Sequence, residues 1–160
     1  MKIDRFVLSC LLGSFFLVVG CGESSGFSCG DGQIECDGQC VDGFSTPPTL
    51  AELQVGVFTG SCALSTSCHA GTNPAESLDL SSLDASETDL LGDGTGAPSV
   101  QSDTRKRVEP ASSATSYLMD KLNGVNLEDT SAGLPSDPMP LGATLCTSKV
   151  EAVRAWIDSL

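Results

Sequence analysis

Ser61-Cys62-Ala63-Leu64-Ser65-Thr66-Ser67-Cys68-His69-Ala70-Gly71 is a short polar loop that carries two cysteines and the only histidine of the chain. Just upstream, Pro47-Pro48-Thr49 opens a stretch in which Leu50, Leu53, Val57 and Phe58 fall at i, i+3, i+7 and i+8, the spacing of one apolar helix face. Gly60 reads as the end of that helix. A lone histidine is most often a solvated surface residue, but one that directly follows a cysteine is a candidate ligand. The pattern predicts a helix, then a cysteine-bearing loop, then a Cys-His pair.

Composition narrows what such a loop serves. The chain has 160 residues and a formal net charge of −13, from eight Lys and Arg against 21 Asp and Glu. It has room for one modest domain, and it lacks the positive surface that neutralising a run of phosphates requires, so nucleic acid is not an expected partner. From residue 47 onward the aromatics are Phe58, Tyr117 and Trp156 alone. So thin a core gains order from disulfides, a metal or a bound cofactor. There is no G-x-S-x-G, no H-E-x-x-H and no glycine-rich phosphate loop, so no enzyme activity is predicted.

The first twenty residues read as an export signal: Lys2 and Arg5, then an apolar run from Phe6 to Val19. That run is too short to span a bilayer comfortably. It ends in Leu17-Val18-Val19-Gly20-Cys21, which resembles the lipobox of bacterial lipoproteins. The resemblance implies a signal peptide over 1–20, cleavage before Cys21 and acylation of Cys21. It implies a membrane lipid anchor in the cell envelope, at the outer membrane or the periplasmic face. The tether, 21–46, continues with Gly22-Glu23-Ser24-Ser25-Gly26 and a Gly- and Asp-rich block holding Cys29, Cys36 and Cys40. In an oxidising compartment these cysteines are expected to form disulfides, with one of the three left free or paired elsewhere. The block reads as a stapled, solvated stalk, since it lacks the D-x-D-x-D-G spacing of a calcium loop.

Beyond the Cys-His loop come Leu78-Asp79-Leu80-Ser81, Arg107-Val108-Glu109-Pro110, Ser116-Tyr117-Leu118, Lys121-Leu122, Met139-Pro140-Leu141-Gly142 and Trp156-Ile157-Asp158, in that order. With the helix and the loop, this series resembles the cytochrome c-like domains of exported bacterial proteins over roughly residues 49–158, which implies a cytochrome c-like domain over 47–160. The resemblance implies a mainly α, small cytochrome c-like helical domain with long loops. It implies haem c as cofactor, electron transfer as function and a redox partner protein. It further implies Cys68 as a thioether, His69 as the proximal iron ligand and Met139 as the distal one. Met119 lies within the helical segment Ser116–Leu122 and reads as core filling.

The attachment motif of that family is C-x-x-C-H, and this chain has Ser65 where the first cysteine stands, leaving Cys62 in a C-x5-C-H spacing. Three arrangements are open: haem held by Cys68 alone, by Cys62 and Cys68 through an enlarged loop, or no haem. The alternative function, in the last case, is a haem-free structural or interaction lipoprotein that keeps the fold with disulfides. A soft metal such as copper on Cys68, His69 and Met139 is a third. In the family the terminal helix packs across the first helix near the attachment loop, which implies a disulfide from Cys146 to Cys62 or Cys68, with Cys62–Cys146 the candidate.

Elsewhere, residues 81–104 read as an acidic loop with one short helix around Leu83–Leu91. Arg105-Lys106-Arg107 could pair with haem propionates, but reads rather as a solvated loop neutralised by the preceding acids. Ser148 and Glu151 form a capping-box pattern before Val150, Val153, Trp156 and Ile157.

Overall fold

The computed structural model describes residues 28–130 and 132–160; the predicted signal peptide and the acylation site Cys21 lie outside them. The described chain is mainly α with little sheet: a hairpin of β1 (Gln33–Cys36) and β2 (Gln39–Asp42), a broken first helix, α3 (Leu83–Leu91), α4 (Tyr117–Asn123) and α5 (Thr147–Asp158).

The first helix starts where Pro48-Thr49 predicts. Thr49 caps it and Glu52 reaches back to the Thr49 backbone, a complete capping box. α1 (Leu50–Leu53) widens into a π-helical turn (Gln54–Phe58) and resumes as α2 (Thr59–Ser61), so Gly60 lies inside the helix rather than at its end. Leu53, Val57 and Phe58 are buried as their spacing predicts. Gly56 is needed for close approach: a Cβ there would stand 2.7 Å from the Phe44 ring.

The core joins these side chains to Leu80, Leu90, Val108, Met119, Val150, Val153, Trp156 and Ile157, each large side chain contributing roughly 1.5–3 kcal/mol by leaving water. Met119 fills the core as expected. Buried among them, Gln54 donates to Leu80 O at 2.8 Å and accepts from Ser86 Oγ at 2.6 Å. One amide thus ties the first helix to α3 and to the strand-like stretch after the Cys-His loop, and its own polar atoms are satisfied.

Two expectations about the chain ends are corrected. Cys146 bonds Cys36, not Cys62, and Cys29 bonds Cys40. The cause is a hairpin that the sequence reading took for a stalk. Asp37 and Gly38 both adopt positive φ, the tight two-residue turn that aspartate and glycine favour. It places Cys36 at the end of β1, with its Cα 5.3 Å from that of Cys146. The hairpin is therefore fastened to the terminal helix. Ser148, expected to cap α5, instead donates its hydroxyl to Glu35 O at 2.9 Å. Glu151 pairs with Arg154, and the N-cap residue is Cys146, with no side-chain cap. At the other end of α5, Asp158 accepts from the backbone N and Oγ of Ser113 at 2.8 and 3.0 Å.

Between α3 and α4 the loop folds back on itself through Ser99 N to Arg105 O and Arg107 N to Ala97 O. The basic cluster is not free: Arg105 pairs with Asp120 and lies over the Tyr117 ring, and Lys106 pairs with Glu109.

Candidate functional site

The Cys-His loop leaves the first helix through Cys62 and Ala63, whose N–H groups both donate to Phe58 O at 2.9 Å. It closes when His69 N–H donates back to Cys62 O at 3.1 Å, with Cys68 N–H bonded to Ser65 O inside the loop. The five residues between the cysteines form an excursion whose two ends meet. Cys62 and Cys68 are both unbonded thiols, whereas Cys29, Cys36, Cys40 and Cys146 are all used in disulfides. Burial, with a smaller contribution from nearby Cys68, pushes the Cys62 thiol up to about 11.

His69 is buried, 8 % exposed. Its Nδ1 lies 3.2 Å from both Ala75 O and Leu78 O. Carbonyls only accept, so Nδ1 carries the hydrogen and the Nε2 lone pair is left available. Burial holds the imidazole below its ordinary pKa despite those two bonds, which favours the neutral form. Nε2 makes no hydrogen bond among the described residues. A neutral imidazole with its Nδ1–H tied to a backbone carbonyl is the usual state of a metal-ligating histidine.

Two adjoining cavities, of about 60 and about 270 Å³, share Cys62, His69 and Met139 in their walls. Cys68 lines the larger. Met139 is half-buried, and its N–H donates to Lys121 O at 2.8 Å, which fixes it at the end of α4. The fold thus brings Cys68, His69 and Met139 to one place and adds Cys62. Cys146 belongs elsewhere, at the start of α5. The smaller cavity is walled mainly by apolar groups, Leu78, Leu80 and Leu122 among them, with Arg107, Lys121 and the carboxylate-bearing Glu76 at its side.

The sequence does not mark Lys121 as a site residue, and it offers Arg107 only as part of a basic cluster that reads as solvated. The Lys121 ammonium, largely buried, donates to Gln101 Oε1 and Ser136 Oγ at 3.0 and 3.1 Å. Burial lowers its pKa. Neither cation forms a close ion pair with a carboxylate among the described residues, but Glu76 lies near enough to act on both, with Asp89 on Arg107 and Asp137 and Asp129 on Lys121. The available signal for Lys121 was its position one helical turn beyond Tyr117 on an otherwise apolar face of α4.

A nitrogen and a thioether donor on one cavity, two thiols outside any disulfide beside them, apolar walls and a buried ammonium are the residue types that a haem would call on. Among the described residues, no cluster of three or more His, Cys, Asp or Glu is placed to hold a bare metal ion, and no helix is long and apolar enough to cross a membrane. No protein-family model matches the chain, and neither a curated protein nor a solved structure is similar to it.

Proposed function

We propose that this chain is an exported, lipid-anchored cytochrome c-like protein that binds haem c and passes electrons to or from a redox partner protein at the outer membrane or the periplasmic face of the cell envelope. When bound, the haem supplies one-electron chemistry between ferrous and ferric iron. The observation that carries the reading is the state of His69: Nδ1–H committed to two carbonyls, Nε2 free, and the ring on a cavity shared with Met139 and two unbonded thiols.

Each residue has a distinct role in this reading. His69 and Met139 would ligate the iron. Cys68 would hold the cofactor by a thioether. Cys62, which the Cys36–Cys146 bond leaves unbonded, is available for a second. Lys121 would meet a propionate, exchanging its two neutral partners for an ionic one. Leu78, Leu80 and Leu122 would exclude water from the ring. Acylated Cys21 would keep the domain at the membrane.

The test is the absorption spectrum and intact mass of the full chain produced beside a functioning haem-attachment system. The expected result is a low-spin haem spectrum and a mass increase of one haem that survives denaturation. Folded protein with neither would leave the haem-free structural lipoprotein.

A further inference from the structure

The turn at Ala75–Leu78 gives four consecutive backbone carbonyls to two side chains. Ala75 O and Leu78 O accept from His69 Nδ1, each at 3.2 Å. Glu76 O and Ser77 O, between them, accept from Arg107 Nη2 at 2.8 and 3.0 Å. The alternation needs an unusual backbone: Glu76 and Ser77 are successive non-glycine residues with φ of 54° and 52°, a region that L-residues avoid and that persists only where surroundings over-determine it. Arg107 is the constraint placed to do this. Its Nη1 donates to Asp89 O at 2.8 Å, which fixes the guanidinium to the end of α3. Its own backbone is held on both sides, N–H to Ala97 O at 2.8 Å and O from Leu118 N–H at 2.9 Å.

We infer that Arg107 is a positioning residue for His69: by gripping the middle of the turn at residues 75–78 it aims the flanking carbonyls at Nδ1 and so keeps the Nε2 lone pair directed into the cavity. The use of that lone pair rests on the haem reading above; the positioning itself does not. Without the guanidinium, Glu76 and Ser77 relax to ordinary φ values, Ala75 O and Leu78 O turn away, and the imidazole loses its preference for the Nδ1–H form. A guanidinium is suited to this task because Nη2 has a hydrogen for each of the two turn carbonyls while Nη1, on the other arm of the rigid fork, is anchored to Asp89 O.

The experiment reads the tautomer directly. His69 is the only histidine, so nitrogen-15 NMR of the full, haem-free chain, at a pH where the ring is neutral, reports it without ambiguity. The wild-type protein is expected to hold mainly Nδ1–H. Arg107→Gln is expected to lower the ratio of Nδ1–H to Nε2–H by about tenfold, the factor that corresponds to one net hydrogen bond. Ser113→Ala, which removes a bond to Asp158 remote from the turn, serves as a control that destabilises without moving the ratio. Adding Glu76→Gly and Ser77→Gly to Arg107→Gln is expected to restore it in part, because glycine enters positive φ without the strain a side chain brings. An unchanged ratio in Arg107→Gln, an equal shift in the Ser113 control, or no recovery with the glycines each overturns the assignment. Haem is absent throughout, so this outcome is separate from that of the absorption test.

Discussion

Replacing Cys36 and Cys146 together by alanine opens a covalent loop of 110 residues, almost the whole described chain. In the chain-entropy account a bridge of that span stabilises by about 5 kcal/mol, because the unfolded chain loses the freedom of two distant points. Few single changes in this small, aromatic-poor domain approach that figure, which is a large share of the 5–15 kcal/mol typical of whole domains. The only tryptophan, Trp156, is buried on the helix that Cys146 begins. Its fluorescence during urea unfolding therefore reports the element released. With a slope of about 2 kcal/mol/M, the midpoint should fall by roughly 2 M or more. Cys29–Cys40 stays intact in this variant, so the hairpin keeps its own staple and only its attachment to α5 is lost. Wild-type protein held in reductant should fall at least as far. A loss below about 1 kcal/mol would falsify the view that this bond ties the two ends of the domain together.

Three further outcomes follow from the structure. Glu52 accepts four hydrogen bonds from Ser45 and Thr49, which pull its carboxyl down from 4.5 to about 2; a depressed folded pKa contributes stability above the unfolded value that is lost as pH falls from about 4.5 towards 2. Glu52→Gln should remove this part of the acid sensitivity, seen as a flatter stability profile over that interval. In the haem-free chain the Cys62 thiol has the opposite sign: its pKa is raised from 9.0 to about 11, so the unfolded thiol ionises first and stability falls as pH climbs between those values. Cys62→Ala should flatten that alkaline slope, and wild-type Cys62 should stay slow to alkylate until the pH nears its folded pKa. Gly96→Ala should be severely destabilising in thermal melts, because φ is +94° and the new Cβ would lie 2.1 Å from Val108 O; wild-type stability for this variant would contradict the close backbone approach.

Much of the helical part was legible because its signals are local. The i, i+3, i+7, i+8 spacing of Leu50, Leu53, Val57 and Phe58 depends only on helix geometry, as does the burial of Val150, Val153 and Ile157, and α3 occupies Leu83–Leu91 as read. The sequence also brought out Cys68, His69 and Met139, which the fold places on one cavity. What failed were readings that needed partners far along the chain. Ser148 and Glu151 have the spacing of a capping box, yet the Ser148 hydroxyl is taken by Glu35, 113 residues away. The Cys146 partner was sought near the first helix because the hairpin was missed. Its signal was present in Asp37-Gly38, a strong two-residue turn, but the flanking strands alternate too weakly to read as sheet. Arg107 read as a solvated cation. The carbonyls it holds lie 30 and 31 residues upstream, in a turn whose backbone angles no residue pattern announces.

The fastening of the hairpin to α5 also sets a working height. Cys29 lies eight residue steps beyond Cys21, and an extended chain reaches at most about 3.5 Å per step, or about 28 Å. Were the hairpin a loose stalk, the leash would run to Pro47 and reach about 90 Å. For a chain acylated at Cys21, as proposed, the domain then hangs within about its own diameter of the bilayer. Any partner it met would then have to be seated in or against that membrane. Cutting the Cys36–Cys146 bond would lengthen the leash as well as weaken the fold, so one covalent link would govern both how firmly the domain holds together and how far it reaches from Cys21.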